Sequence, residues 1–170
     1  RMAANKGHDL LIRAMPTLIN LVPKGRLLAC IGGEANTTDD EQINKLKEVA
    51  QQIGVADKIK WVGYVEDDNL ANYYRAAGVY ALSSRYEPFG MTAIEAMACG
   101  TPTVITVHGG LLDLVEFGTH ALYADPLRPE EFGAVMALPF LHPALADRLS
   151  AEGARFSRRM FGWTRMARRN

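Results

Sequence analysis

Apolar residues along the chain follow two spacings in turn. After Lys6-Gly7, Leu10, Leu11, Ala14, Met15, Leu18 and Ile19 recur with helical period, and Pro23 and Gly25 close the segment. "RLLACIGG" (26–33) is a short apolar run closed by two glycines and predicts a buried strand. From Asp39 to Ile53 one helix face carries Ile43, Leu46, Val49, Ala50 and Ile53, with Gly54 as a C-cap. "KIKWVGYV" (58–65) predicts a strand, and Asp67 or Asp68 caps a helix through Leu70, Tyr73, Tyr74 and Ala77. Next come a strand "GVYALSS" (78–84), a helix from about Thr92 to Cys99, a strand "TPTVITV" (101–107) and a short helix "GLLDLVEF" ended by Gly118. "HALYAD" (120–125) is the last predicted strand, and helices occupy most of the remainder.

Strands that alternate with helices and are apolar on both faces imply a parallel sheet covered on both sides. With right-handed connections this is an α/β, Rossmann-like, doubly wound fold. Ligands in such folds bind beyond the carboxyl ends of the strands. Here those ends are the loops at Gly32-Gly33, Gly63-Tyr64, Ser84 to Met91 and His108-Gly109-Gly110.

Composition narrows the classes. The chain has 170 residues, 48% hydrophobic, enough for one domain with a core. Lysine plus arginine and aspartate plus glutamate number 19 each, which gives no overall footprint for nucleic acid. Cys30 and Cys99 are far apart and fit no metal or redox spacing, so a reduced, cytoplasmic setting is expected. No apolar run approaches the roughly 20 residues of a membrane span, and no stretch of the given sequence reads as a signal peptide. The sequence opens on Arg1 rather than Met and enters helical periodicity almost at once, so it is expected to be a piece of a longer chain, cut just after a strand.

Candidate chemistry concentrates in "YEPFGMTAIEAMACG" (86–100), where Glu87 and Glu95 lie eight positions apart. Thr92 and Glu95 have capping-box spacing, which leaves Glu87 and the Pro88-Phe89-Gly90 turn unexplained. A glycine there lets backbone approach a ligand, and a helix start offers free amides and a positive dipole end that suit a phosphate. Glu87, at a strand end, would accept from sugar hydroxyls, and Glu95, one turn into the helix, would reach a ribose. A pyrophosphate beside carboxylates needs cations; Arg1 and Lys6 are candidates, against the plainer reading of a solvated pair. His108 would touch a ligand or serve as a turn residue. "IGGEAN" is not G-x-G-x-x-G, so a nicotinamide cofactor is unsupported. The basic tail "RFSRRMFGWTRMARRN", with Phe156, Phe161 and Trp163 interleaved, is read as a helix packed by its aromatics rather than a membrane or nucleic-acid surface.

Taken together, R-x4-K-G, the "GG" strand end, "YEPFGMTAIEAMACGTPTV" and "HGGL" resemble the donor-binding half of retaining glycosyltransferases of the GT-B fold, in the group 1 family that includes sucrose-phosphate synthase, glycogen synthase and many mannosyltransferases. The E-x7-E pair, Glu87 and Glu95, is that family's signature, and the wording "SSRYEPFGMTAIEAMACGTPTVIT" before "VHGGL" is most similar to the sucrose-phosphate synthase and mannosylfructose-phosphate synthase branch. The resemblance implies that residues 1–170 form the C-terminal, nucleotide-sugar-binding domain of a two-domain chain. It implies that Arg1 and Lys6 bind the donor diphosphate, that Glu87 holds the donor sugar and that Glu95 binds the ribose. The backbone of Phe89, Gly90, Met91 and Thr92 would reach sugar and phosphate, and Gly63-Tyr64 would face the base. No metal and no cofactor are implied. The donor would be a UDP-glucose or GDP-mannose type sugar, the acceptor a sugar phosphate such as fructose 6-phosphate, and the acceptor pocket would lie in an N-terminal domain. The isolated chain would then bind nucleotide without transferring sugar. Two rivals stand beside this: a retaining glycosidase, which needs carboxyls about 5–5.5 Å apart across a sugar and leaves Arg1, Lys6 and the helix start unused, and a non-catalytic sugar-nucleotide-binding module.

Overall fold

A computed structural model describes residues 3–30 and 37–161, with side chains from residue 40 in the second stretch. The expected alternation is present: α1 (His8–Leu21), β1 (Leu27–Ala29), α2 (Thr37–Gln52), β2 (Ile59–Trp61), α3 (Asp67–Ala76), β3 (Tyr80–Leu82), α4 (Met91–Ala98), β4 (Thr103–Thr106), β5 (Leu122–Ala124), α5 (Pro129–Leu141) and α6 (Pro143–Phe161). Every ladder among the described residues is parallel, as expected for strands covered on both faces.

β4 shows why the sheet is covered on both faces. All four of its residues are buried, and successive side chains of a strand point to opposite faces. Val104 joins one core with Ile12 and Met15 of α1, Leu122 of β5 and Phe132 of α5. Ile105 joins the other with Leu82 of β3, Ile94 and Met97 of α4 and Phe156 of α6. The layout is therefore doubly wound. One difference stands out: among the described residues the strands form two groups, β1-β2 and β3-β4-β5, rather than one continuous sheet.

Several local expectations shift. Asp67 and Asp68 do not cap α3; the helix begins at Asp67, so both lie in its first turn, where they meet the positive dipole end. "GLLDLVEF" forms a short 3-10 turn, Gly110–Leu114, in place of an α-helix. In the tail, Phe156 is buried and Phe161 packs edge-on against it and Phe89. Ser157 donates to the Ile94 carbonyl at 2.7 Å, tying α6 to α4. Trp163, Gly32 and Gly33 lie outside the described residues. No helix among the described residues is long and apolar enough to cross a membrane.

The segment entering α1 is fastened to the carboxyl end of β3. The Arg85 amide donates to the Asn5 carbonyl at 2.8 Å. Its guanidinium donates to both oxygens of Asp9, at 2.8 and 2.7 Å, and to the Ala4 carbonyl at 3.1 Å. The hydrogen bonds from Arg85 hold the Asp9 carboxyl below its ordinary value of 3.8. A carboxylate depressed in the folded state stabilises above its unfolded pKa, and that contribution disappears as pH falls through the folded value. The pair is partly exposed, so Asp9→Asn should cost about 0.2–1 kcal/mol near neutrality. Denaturant titrations across pH should show this gap constant above about pH 5 and closing below the usual carboxylate range; a gap that persists in acid contradicts the assignment.

Candidate active site

Glu87 is 7% exposed although it carries a carboxylate. A buried charge is costly unless paired and hydrogen-bonded, and two neighbours meet that need. Lys6 Nζ lies 2.7 Å from Oε2, and Ser84 Oγ donates to the same oxygen at 3.0 Å. Oε1 accepts from no group among the described residues. Lys6 ends a 3-10 turn, Ala4–Lys6, and Ser84 follows β3 by two residues. The carboxylate is thus held where the α1 entrance meets the sheet's carboxyl end.

The backbone of Glu87 is fixed as tightly as its side chain. Its amide donates to the His108 carbonyl at 3.0 Å, and its carbonyl accepts from Gly110 at 3.3 Å. Glu87 and Gly109 form a parallel bridge beyond β3 and β4. A Cβ on Gly109 would stand 2.7 Å from the Glu87 carbonyl oxygen, so a residue without a side chain permits this approach. The His108 ring shares a 2.8 Å hydrogen bond with Asp125 at the end of β5. Burial works to raise the Asp125 pKa, but the bonds from His108 and from the Leu127 amide outweigh it and leave the carboxyl below its usual range. His108 therefore does more than turn the chain: it ties the ends of β4 and β5 to the backbone that carries Glu87.

The Thr92–Glu95 capping box does not form. Gly90, at φ 92°, is the N-cap of α4, no side chain caps the helix, and Thr92 already lies inside the first turn. A left-handed φ is open to glycine at little steric cost. It brings the chain sharply from Glu87 into the helix and leaves the first amides of α4 without helical acceptors. Thr92 Oγ1 instead accepts from the Tyr80 hydroxyl at 2.7 Å, and a Glu95 oxygen accepts from the Tyr74 hydroxyl at 3.1 Å. Burial raises both phenol pKa values, that of Tyr80 to about 12, so both hydroxyls stay protonated and donate. Glu95 is exposed on α4 with its carboxylate steadied by Tyr74. Phe89 and Met91 are exposed beside it.

Gly63 and Tyr64 stand on a separate part of the rim, after β2. Tyr64 is exposed and, with Val62, Val65, Asn69 and Tyr73, lines a cavity of about 580 Å³. α3 joins the two regions, since Tyr73 faces that cavity and Tyr74 reaches Glu95. Arg1 lies outside the described residues. The described residues contain no cluster of three or more metal-ligating side chains. Sequence reasoning missed Ser84, Tyr74, Tyr80 and Asp125. Their partners lie three to 21 positions away in the chain, and no local spacing marks them.

Comparison with known proteins gives consistent matches. The profile described as Glycosyl transferases group 1 matches residues 1–156. Mannosylfructose-phosphate synthase of Agrobacterium fabrum is 50% identical over 169 residues, covering 98% of this chain and 37% of that protein. Sucrose-phosphate synthase from Thermosynechococcus elongatus superposes with a TM-score of 0.87 at 30% identity, over 98% of this chain and 41% of that one. Anabaena HepE, in complex with UDP, shares the fold with a TM-score of 0.85 at 21% identity, over 99% of this chain and 45% of that one. The chain thus spans about two fifths of the length of these proteins.

Gly109→Ala tests the bridge that fixes Glu87. The added methyl must displace backbone, and overpacking of this kind costs about 1–3 kcal/mol. Urea unfolding should show that loss; a variant as stable as the parent would contradict the close approach.

Proposed function

The chain belongs to the Glycosyl transferases group 1 family, and we propose that it is the C-terminal, donor-binding domain of a retaining GT-B glycosyltransferase. The observation that carries this reading is the buried Glu87 carboxylate, bonded through one oxygen to Lys6 and Ser84 and leaving the other without a protein donor among the described residues. A carboxylate accepts several hydrogen bonds, and the open oxygen suits paired hydroxyls of a hexose. The Lys6 ammonium has three donors, so its bond to Glu87 leaves two for a diphosphate, with the first amides of α4 and Arg1 as further donors. The exposed Glu95 suits ribose hydroxyls, and the cavity lined by Tyr64, the neighbour of Gly63, suits the base.

In the proposed reaction the anomeric C–O bond to the diphosphate breaks and a nucleoside diphosphate departs. An acceptor hydroxyl forms the new C–O bond on the same face, and its proton passes to the leaving phosphate oxygen. Charge stabilisation on that phosphate, rather than a protein nucleophile, supplies much of the rate. The donor is a nucleotide sugar of the UDP-glucose or GDP-mannose type, and the acceptor a sugar phosphate such as fructose 6-phosphate. The name of the Agrobacterium relative and the UDP in HepE support that choice. The missing N-terminal domain would supply the acceptor pocket, so the 170-residue chain by itself binds nucleotide and transfers no sugar. A glycosidase reading gains nothing from the geometry: Glu87 is committed to Lys6, and Glu95 stands on α4 beside Tyr74.

Transfer of label from a nucleotide sugar to a sugar phosphate, measured in the complete protein, tests this proposal. Glu87→Ala should lower kcat/KM about 10- to 100-fold, the range of a hydrogen bond to a charged group, with a smaller effect on thermal stability. Because Glu95 does not cap α4, Glu95→Ala should also act on donor use more than on stability. Unchanged transfer in Glu87→Ala, or hydrolysis of simple glycosides without any nucleotide, would overturn the reading.

A further inference from the structure

We infer that Tyr74 is a positioning residue for donor recognition: by holding the Glu95 carboxylate in one orientation it makes the site select a ribonucleotide over a 2′-deoxyribonucleotide. The inference rests on the proposed assignment of Glu95 to the ribose and goes beyond it, to what gives that contact its selectivity. It starts from the surface of α4, where Met91, Thr92 and Glu95 are the exposed residues. Thr92 and Glu95 stand three positions apart, so they share one face of the helix. Each is bonded by a phenol from a neighbouring element. The Tyr74 hydroxyl donates to Glu95 Oε2 at 3.1 Å, and the Tyr80 hydroxyl to Thr92 Oγ1 at 2.7 Å. The two rings meet edge-on, with centroids 5.5 Å apart.

Tyr74 is itself firmly held. It is buried, and its carbonyl accepts from Thr101 Oγ1 at 2.6 Å in a buried bond. The Thr101 amide in turn donates to the Ala96 carbonyl of α4 at 3.1 Å. Tyr74 and Glu95 are therefore joined twice, once through the phenol and once through Thr101. This fixes α3 against α4 where the hydroxyl meets the acid. A phenylalanine would serve the ring packing as well, whereas a buried phenol also needs an acceptor. Burial raises the phenol pKa, so the hydroxyl keeps its proton and remains a donor. What the hydroxyl adds is a fixed acid. An exposed glutamate samples several rotamers, and freezing them on binding costs affinity. With Oε2 tethered to Tyr74, the other acceptor sites of the carboxylate keep one direction.

That direction has a chemical consequence. The 2′- and 3′-hydroxyls of a ribose form a cis pair of donors, which the two oxygens of one carboxylate can accept together. A carboxylate in fixed orientation registers the loss of either hydroxyl. One that turns freely re-aims at whichever hydroxyl remains. A site built to bond a hydroxyl rejects the analogue that lacks it, because its own polar group is then left unpaired. α3 also points to a nucleoside as the ligand. Tyr73 lines the cavity proposed for the base, and the next residue reaches the acid proposed for the ribose. Successive residues of one helix thus address adjacent parts of one molecule.

Calorimetric titration of the complete protein with UDP and GDP, and with their 2′-deoxy counterparts, tests the inference. For the nucleotide that binds, the parent should prefer the ribose form by about 10- to 100-fold, the range of a hydrogen bond to a charged group. Glu95→Ala should bring the two forms to equal affinity. Tyr74→Phe keeps the ring and removes only the hydroxyl. It should lower the preference about 3- to 10-fold, through weaker binding of the ribose form, with the 2′-deoxy form bound as before. A preference lost in Glu95→Ala but intact in Tyr74→Phe overturns the inference and leaves the ribose assignment standing. Equal weakening towards both forms in Tyr74→Phe does the same, since it marks a merely structural residue. No preference in the parent, an unchanged preference in Glu95→Ala, or no binding of either nucleotide overturns the assignment and the inference together. Should Tyr74→Phe not fold, the carbon-13 signal of the Tyr74 phenol in the parent decides. A shift on binding the ribose form that the 2′-deoxy form does not produce supports the inference, and the same response to both refutes it.

Discussion

The ion pair between Lys6 and Glu87 joins two places 81 positions apart in the chain, and the arrangement of the site depends on it. Lys6 sits at the entrance to α1 and Glu87 just beyond β3. Their contact requires the α1 entrance to lie against the sheet's carboxyl end, which the Arg85 bonds to Asp9 and Asn5 enforce. It also requires a buried position for a charge, which the bridge to Gly109 provides by closing over the Glu87 backbone. A carboxylate placed this way is expensive to bury for stability alone. Its cost is intelligible when the oxygen that meets no donor among the described residues has a ligand to meet.

The frame that sets this geometry is the sheet. β4, buried on both faces, holds the two cores apart and aligns β3 and β5 beside it. The ends of all three strands then converge on one rim, with His108 bonded to Asp125 across it. α4 leaves that rim from Gly90, and α6 holds α4 from behind through Ser157 and Phe156. The site is therefore carried by rigid elements, as a constellation that must keep fixed distances requires. α3 extends the same rim towards Gly63 and Tyr64.

Much of this was legible in the sequence. Apolar periodicity located the helices and strands because a parallel sheet buries its strands on both faces and leaves runs such as "TPTVITV". Glu87 was legible as an acid without a local structural duty. The capping box was not: T-x-x-E fits a helix beginning one residue earlier or later equally well, and the left-handed Gly90 decided where α4 starts. The phenols that steady Thr92 and Glu95 come from α3 and β3, and Asp125 comes from the end of β5. Such partners depend on how layers stack, which period and spacing do not encode. The separation of the strands into two groups was equally hidden, since every strand pattern by itself is sound.

Calorimetric titration of the complete protein compares a bare nucleoside diphosphate with its sugar conjugate, in the parent and in Glu87→Gln. If Glu87 is held for the donor sugar, both proteins bind UDP or GDP alike, and the variant loses the affinity that the sugar adds. Equal weakening towards nucleotide and nucleotide sugar, or no weakening towards either, would contradict that assignment.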